Sequence, residues 1–357
     1  MIEVVIGEIK EEIDQQIKNF LEKKREKGFL EEMPDYFFEF IDCVENFMLR
    51  GGKRLRPVLF CIGYDFWGDN ERRREVVRIS MLVEFLHAYL LIHDDVIDQD
   101  DFRHGGPSVH FKYKQKYLDK FKEGSAQHLG FSMAINIGDI VSAWVYEIAM
   151  DSDFEENKKI ALVKKISEVM EMTLIGQVMD QEVGMGDDIS FEKISMVQKY
   201  KTAKYTIEGP LQMGAILAGA NKENLNFISS FAIPLGVAYQ IQDDILGVFG
   251  DEDKIGKPVG ADIRGGKKTL LVLSVLENAE KKDREFLLDK LGDKNVTKRD
   301  TERIRGIMIN SGALDYSKKR ILQLGNEFVS KLESGNLADE RLSNIKELGH
   351  YLLDRDN

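Results

Sequence analysis

The sequence contains few of the residues that interrupt helices or crosslink small folds. Its 357 residues include six prolines and two cysteines, Cys43 and Cys61, which both lie in apolar segments with helical spacing. Two cysteines in this setting argue against a disulfide-stabilised secreted scaffold and indicate reduced thiols in a cytoplasmic protein. Alternating apolar and polar residues, which are typical of half-buried strands, are scarce. The composition therefore points away from β-rich and disulfide-rich classes.

Long apolar runs and an excess of positive charge are also lacking. We find no apolar run that approaches the roughly 20 residues of a membrane-spanning helix, and the N-terminal segment is too acidic for a signal peptide. The formal net charge of −12 argues against a nucleic-acid partner. We therefore expect a cytoplasmic protein without a membrane span.

Apolar residues recur at helical spacing through almost the whole chain, which predicts an all-α fold. The length of 357 residues is near the upper limit for one hydrophobic core. We predict a single all-α domain over residues 1–357.

The first acidic motif follows an apolar stretch, residues 81–92, that contains no glycine or proline and predicts a buried helix. Asp94, Asp95 and Asp98 come next, at spacings that place all three carboxylates on one helix face. Their mutual repulsion, increased by the helix dipole near a C-terminus, requires a compensating cation. Carboxylate oxygens suit magnesium, which commonly joins protein carboxylates to substrate phosphates.

A second acidic pair, Asp243 and Asp244, lies in another apolar helical stretch, residues 223–249, with Gln240 one turn earlier. A single acidic helix end is usually solvated surface. Two such ends, each after an apolar helix, favour a metal cluster at the mouth of a cavity.

Two segments combine glycines with cations. Residues 51–57 read Gly-Gly-Lys-Arg-Leu-Arg-Pro, and residues 255–268 contain four glycines and four cations. Each segment could be a solvated loop. In an acidic protein with a metal-binding face, the first favours anion capture, in which Arg gives bidentate contacts and Lys a point charge. The second favours a mobile lid that brings positive charge over an anion.

These motifs, in this order, resemble those of the trans-isoprenyl diphosphate synthases, the polyprenyl synthetase family. The resemblance extends from Gly51 to about Leu271, and its motifs are the following: GGKRLRP at 51–57, Glu-x-x-His at 84–87, DDVID at 94–98, GQVMD at 176–180, Lys-Thr at 201–202, YQIQDD at 239–244 and the basic lid. It implies a bundle of antiparallel helices around a central cavity, of the isoprenoid synthase type, that forms a homodimer. It also implies a magnesium-dependent prenyltransferase. Such an enzyme condenses isopentenyl diphosphate with dimethylallyl, geranyl or farnesyl diphosphate, giving geranylgeranyl diphosphate, farnesyl diphosphate or both.

The resemblance also implies a role for each motif residue. Three magnesium ions would lie between the acidic motifs, with Asp94, Asp98 and Asp243 as direct ligands and Asp95 and Asp244 nearby or linked through water. The remaining assignments are Lys53, Arg56 and His87 for isopentenyl diphosphate; Arg103, Lys201, Lys257 and Lys267 for the allylic diphosphate; and Thr202 and Gln240 for the developing cation. The five aspartates, Lys201 and Lys257 form the expected catalytic set.

Two residues upstream of the first motif are expected to set the product length. Tyr89 and Leu90 precede Asp94 by five and four residues on the same predicted helix. In the resembling family, a single aromatic residue at the fifth position often accompanies C20 products, which favours geranylgeranyl diphosphate here.

One departure from the family pattern concerns isopentenyl diphosphate. The family usually has two arginines and a glycine after the first motif, whereas this chain has Arg103, His104 and Gly105. We assign His104 to the same diphosphate, although histidine is only partly charged near neutrality and has no guanidinium fork.

Three other kinds of protein share parts of this pattern. A terpene cyclase would leave Lys53, Arg56 and His87 without a role. A catalytically weak subunit of a heteromeric synthase should lack acidic ligands, which are all present here. A di-iron bundle could use the Glu-x-x-His motifs at 84–87 and 347–350, but it would leave both aspartate pairs unused.

Overall fold

The computed structural model describes residues 2–69, 71–186, 189–250, 260–335, 337 and 339–354. The protein is 81% helical with almost no sheet, which confirms the all-α prediction. Its residues form two compact units, Met1–Val163 with Ile216–Gly219 and Lys164–Ala215 with Ala220–Asn357. This division does not test how many domains fold independently, so the single domain stays a prediction.

The first unit contains seven complete helices among its described residues. They are α1 Ile2–Leu30, α2 Asp35–Leu49, α3 Leu55–Asp65, α4 Arg73–Ser80, α5 Leu82–Asp98, α6 Val109–Tyr117 and α7 Glu123–Met150. Between α5 and α6, the two-residue strands β1 Phe102–Arg103 and β2 Gly106–Pro107 form an antiparallel hairpin in which Arg103 pairs with Gly106. The scarcity of alternating patterns gave no sign of this hairpin.

The second unit begins inside α8, Glu156–Met185. Its further described elements are α9 Phe191–Val197, a π-helix Gln198–Glu208, α10 Gly209–Leu217, whose last two residues belong to the first unit, α11 Lys222–Phe249, α12 Ala261–Arg264, α13 Leu270–Asn278, α14 Lys281–Lys290, α15 Lys298–Asn310, α16 Ala313–Glu333 and α17 Asp339–Leu353. The general prediction of α-helices did not foresee the π-helix, which covers eleven residues. π-helical turns are frequent at functional sites, and this one carries Lys201 and Thr202.

Aromatic packing fixes α5, the helix that carries the first acidic motif. Phe85 of α5 meets Phe20 of α1 and Trp144 of α7 edge to face, with ring centroids 5.1 and 6.2 Å apart. Such pairs contribute about 0.5–1.5 kcal/mol each beyond the burial of their area. The apolar half of α5 therefore anchors its acidic C-terminal end.

Two helical stretches are longer and more apolar than the apolar runs of the sequence indicate. Arg73–Asp98 and Glu123–Met150 have the length and composition to cross a membrane, and 67% and 39% of their most apolar windows are buried inside the protein. Core helices of soluble proteins have the same properties. The absence of a membrane span stays a prediction.

In the second unit, α11 packs closely against the π-helix at Gly236. A Cβ atom on Gly236 would lie 2.6 Å from the Cα of Ala203. The glycine therefore sets how near the second acidic motif lies to Lys201 and Thr202 on the neighbouring helix.

We expect Gly236→Ala to lower the free energy of unfolding by about 1–3 kcal/mol, because overpacking forces the two backbones apart. The matched control is Gly306→Ala in α15, where no described atom outside its own helix backbone lies within 4 Å of the added Cβ. This control should stabilise by about 0.4–1 kcal/mol. Urea unfolding followed by circular dichroism measures both, and equal effects of the two substitutions would contradict the close packing.

Candidate functional site

The first acidic motif ends α5, and its three carboxylates have different surroundings. Asp95 is fully buried, Asp94 half-buried and Asp98 exposed. Oδ1 of Asp95 accepts a hydrogen bond of 2.7 Å from Nε of Arg103, while its buried Oδ2 accepts none from the described residues. Burial raises the pKa of Asp95 to about 7, against the opposing charge of Arg103. The site thus holds a carboxylate whose ionisation a further cation would favour.

Arg103 reaches these carboxylates from the hairpin. It is buried, and its guanidinium also lies 3.6 Å from Oδ2 of Asp94. His104 and Gly105 form the turn with φ of +50° and +70°. Arg50, at the end of α2, donates a 2.7 Å hydrogen bond to the carbonyl of Pro107 and so holds the hairpin. Sequence reasoning did not find Arg50, because its partner is a backbone carbonyl far along the chain.

The three cations of the basic segment 51–57 have different surroundings, and one of them, Arg54, has a structural role. Arg54 is buried and donates hydrogen bonds of 2.8 Å to Asp14 of α1 and to Glu84 of α5. Lys53 is exposed and Arg56 half-buried. The buried pairs of Arg54 therefore tie the segment to two helices, and Glu84 of the Glu-x-x-His motif serves as its anchor.

His87 lies two helical turns before Asp94 on α5 and is surrounded by positive charge. Its pKa lies well below the ordinary value, because burial disfavours the imidazolium and nearby charges on Arg56, His104, Arg103 and Arg54 repel it. The structure thus brings together the predicted diphosphate binders Arg56, His87 and His104 with Arg103. A neutral His87 can donate one hydrogen bond to an anion held by these cations.

The second acidic motif lies on α11, next to the π-helix, and a chain of hydrogen bonds connects the two elements. Oγ1 of Thr202 donates to Oε1 of Gln240 at 2.7 Å, and Nε2 of Gln240 donates to Oδ1 of Asp244, also at 2.7 Å. Gln198 of the π-helix donates to Oδ2 of Asp244 at 3.4 Å. Asp244 is buried whereas Asp243 is exposed. Gln198 could not be identified from the sequence, because the helical spacing does not predict the π-helix that orients its side chain.

Asp244 is the counterpart of Asp95 in this unit. Its pKa is raised to about 8, first by burial and then by the charge of Asp262, while the hydrogen bond from Gln240 opposes the shift. Each acidic motif therefore contains one buried carboxylate whose charge the surrounding residues stabilise only in part.

Lys201 is oriented by the GQVMD segment of α8. Its Nζ lies 2.6 Å from Oδ2 of Asp180, and a Cβ on Gly176 would lie 2.7 Å from the Cα of Lys201. The glycine permits close approach and the aspartate fixes the ammonium group. Lys267 is exposed and pairs with Asp262 at 2.9 Å, whereas Lys257 lies outside the described residues.

The two residues assigned to product length lie on α5. Tyr89 is 9% exposed, and its ring meets that of His93 edge to face at 4.8 Å. Burial raises the pKa of its hydroxyl, with smaller contributions from Asp139 and Tyr146 of α7. Leu90 is half-buried. Tyr89 thus packs between α5 and α7, which agrees equally with a floor for the product and with a core position.

The acidic residues have the ligand atoms that a hard divalent cation prefers, and two of them are buried carboxylates that a cation would stabilise. Asp95 and Asp244 are buried carboxylates with raised pKa values, and oxygen ligands are those that magnesium prefers. As the side chains lie, no three His, Cys, Asp or Glu residues within the described ranges are gathered closely enough to hold one metal ion. The ligand assignments stay predictions.

Comparisons with known proteins agree with this arrangement. The sequence model described as Polyprenyl synthetase matches residues 39–308. A short-chain isoprenyl diphosphate synthase of Methanocaldococcus jannaschii is 35% identical over 302 residues, covering 84% of each chain. A geranylgeranyl diphosphate synthase of Saccharolobus solfataricus is 30% identical over 359 residues, covering 99% of this chain and 98% of the relative.

A solved structure extends the likeness to the fold. The geranylgeranyl pyrophosphate synthase from Corynebacterium glutamicum, complexed with isoprenyl diphosphate and magnesium, superposes with a TM-score of 0.90 at 27% identity. The match covers 98% of this chain and 99% of that one. It confirms the predicted all-α architecture.

We expect inorganic diphosphate to raise the pKa of His87, because a bound anion offsets the cations that now depress it. NMR titration of the histidine Cε1–H signals, with and without diphosphate, measures the change. The signal is assigned by its loss in His87→Gln. The midpoint of His87 should move to higher pH, while the signal of the exposed His350 should not respond to diphosphate. An unchanged midpoint for His87 at saturating diphosphate would place the anion elsewhere.

Proposed function

The chain belongs to the polyprenyl synthetase family, and we propose that it condenses isopentenyl diphosphate with allylic diphosphates to give geranylgeranyl diphosphate, farnesyl diphosphate or both. The observation that carries the proposal is the cation cluster around His87, two turns before the acidic end of the same helix. One helix thus presents a site for an anion and, about 10 Å along its axis, a site for a metal. Condensation of two diphosphates needs both.

Two groups of basic residues and histidines bind and orient the diphosphates of the two substrates. Lys53, Arg56, His87 and His104 hold the diphosphate of isopentenyl diphosphate. Arg103, Lys201, Lys257 and Lys267 hold the allylic diphosphate, and Asp180 keeps the ammonium group of Lys201 in position. His104 is exposed in its turn, so it can approach a phosphate oxygen without rearrangement of the hairpin.

The residues near the reacting carbon stabilise positive charge. When bound, magnesium ions, which we propose number three per active site, would be held by Asp94, Asp98 and Asp243 and would neutralise the departing diphosphate. Thr202 donates its proton to Gln240, so the lone pairs of its hydroxyl oxygen remain available to face the allylic cation. The double bond of isopentenyl diphosphate forms the new carbon–carbon bond, and the released diphosphate accepts the proton that is lost.

A terpene cyclase is the alternative that shares an acidic motif and magnesium. Such an enzyme needs no second diphosphate site, so the cations around His87 would have no purpose.

We further propose that the protein is a cytoplasmic homodimer, that residues 1–357 form one functional domain, and that no segment crosses a membrane.

We expect strict dependence on divalent metal when the protein is incubated with isopentenyl diphosphate and dimethylallyl diphosphate. Asp94→Ala and Asp243→Ala should each lower kcat by about 10³-fold or more, because each removes charge stabilisation of the transition state. Radiolabelled product extracted after acid hydrolysis measures the rate. The control is Asp289→Ala on an exposed position of α14, which should keep full activity. Full turnover in excess chelator would refute the proposal.

Product length provides a separate test of α5. Tyr89→Ala should shift the products beyond C20, because removing the ring lets the growing chain extend along α5 by about one 5.4 Å turn. Tyr89→Phe keeps the ring and should leave the distribution unchanged. Chromatography of the dephosphorylated products measures both. If Tyr89→Ala folds and still gives the wild-type products, Tyr89 is a core residue and the floor lies on another helix.

A further inference from the structure

The last turn of α11 has no basic residue of its own, although it directly follows the second acidic motif. Asp243 and Asp244 lie within two turns of the end of the helix at Phe249. The helix dipole places partial negative charge at a C-terminus, and the last four carbonyls have no partners within the helix. This end of α11 therefore needs hydrogen-bond donors from another element, and cationic donors suit it best.

Arg305 of α15 supplies such donors. Its Nε donates a 2.7 Å hydrogen bond to the carbonyl of Val248, and its Nη2 donates a 3.4 Å hydrogen bond to the carbonyl of Gly250. The third nitrogen, Nη1, donates to Oε1 of Glu302 at 2.6 Å. Because the side chain of Glu302 is 65% exposed, this ion pair contributes little. The contacts that matter are the two carbonyls at the end of α11.

The same face of α15 also supports α12. Thr301 is fully buried and precedes Arg305 by four residues, so both lie on one helix face. A Cβ atom on Gly260, immediately before α12, would lie 2.8 Å from Oγ1 of Thr301. The carbonyl of Ile263 in α12 accepts a 2.8 Å hydrogen bond from the N–H of Gly292. The chain is thus held where it leaves α11 and again where it enters α12.

Lys267, which we assign to the allylic diphosphate, depends on both elements. Its N–H donates a 3.0 Å hydrogen bond to the carbonyl of Asp262 in α12, and its Nζ pairs with Oδ1 of the same residue at 2.9 Å. The other carboxylate oxygen of Asp262 lies against Gly247, where an added Cβ would collide with it. Gly247 belongs to the turn of α11 that Arg305 closes. A displacement of this turn would therefore move the partner of Lys267.

We infer that Arg305 is a positioning residue for the part of the site that binds the allylic diphosphate. It acts through the carbonyls of Val248 and Gly250, which fix the last turn of α11 and, through that turn, the second acidic motif and Lys267. The inference rests on the proposed function, since it assigns a role in that reaction.

The two substrates should depend on Arg305 unequally. All the residues assigned to isopentenyl diphosphate belong to the compact unit that contains Met1–Val163, whereas α11, α12 and α15 belong to the other unit. Loss of Arg305 should therefore affect the allylic diphosphate first.

Steady-state kinetics with each substrate varied separately test this dependence. Arg305→Gln removes the charge and shortens the side chain. It should raise the KM for dimethylallyl diphosphate about tenfold and leave the KM for isopentenyl diphosphate within about twofold of wild type. Loss of folded protein alone would lower kcat and change neither KM. A wild-type KM for the allylic substrate in folded Arg305→Gln, or equal changes in both KM values, would overturn the inference.

Two neighbours on α15 provide matched controls. Arg299→Gln makes the same chemical change at an exposed position. Glu302→Gln removes the ion pair of Arg305 and leaves its two carbonyl contacts in place. Both variants should keep wild-type KM values. An effect of Glu302→Gln as large as that of Arg305→Gln would assign the role to the ion pair and contradict the inference.

Amide hydrogen exchange without substrates gives a readout that does not depend on activity. In Arg305→Gln, the amides of residues 246–250 should exchange about tenfold faster than in wild type, because the turn frays when its carbonyls lose a cationic donor. Arg299→Gln should leave these exchange rates unchanged. Wild-type exchange in Arg305→Gln would show that another contact fixes the end of α11.

Failure of the proposed function gives a different result. In that case the wild-type protein would form no prenyl product from isopentenyl and allylic diphosphates. Faster exchange in Arg305→Gln would still show that Arg305 fixes the last turn of α11, and unchanged exchange would still exclude it.

Discussion

Burial of carboxylate charge at two helix ends is the constraint on which the candidate site depends. A carboxylate removed from water loses solvation that a single neutral hydrogen bond does not replace. At Asp95, Arg103 supplies compensating charge, and the hairpin that carries Arg103 is held in turn by Arg50. At Asp244, two glutamine amides donate hydrogen bonds. The hairpin and the π-helix are thus both used to bring donors to a buried carboxylate.

The pKa values show that neither compensation is complete. Asp95, with a guanidinium beside it, has its pKa raised to about 7, and Asp244, with amides and the nearby charge of Asp262, has its pKa raised to about 8. Burial is the main cause in both cases. A divalent cation beside either carboxylate would favour its ionised form.

The sequence predicted whatever depends on local spacing. Apolar residues at helical intervals predicted the helices α5 and α11. The positions of the aspartates on those helices were predicted with them. Contacts between distant segments could not be predicted. Arg54 and Glu84 are thirty residues apart, and either could have been a solvated surface charge. The π-helix was missed because its residues also satisfy an α-helical pattern. The hairpin turn places both His104 and Gly105 at positive φ, and a histidine in that conformation is uncommon enough that the turn was not predicted.

Three glycines lie where another element approaches so closely that a larger side chain would collide with it. Gly176 admits the backbone of Lys201, Gly236 admits Ala203, and Gly247 admits the carboxylate of Asp262. In the first two cases the gain is packing that brings α8, the π-helix and α11 together. In the third, a Cβ on Gly247 would collide with the carboxylate of Asp262, so the missing side chain lets α12 approach α11. The close approaches between these elements therefore depend on the absence of a side chain at three positions.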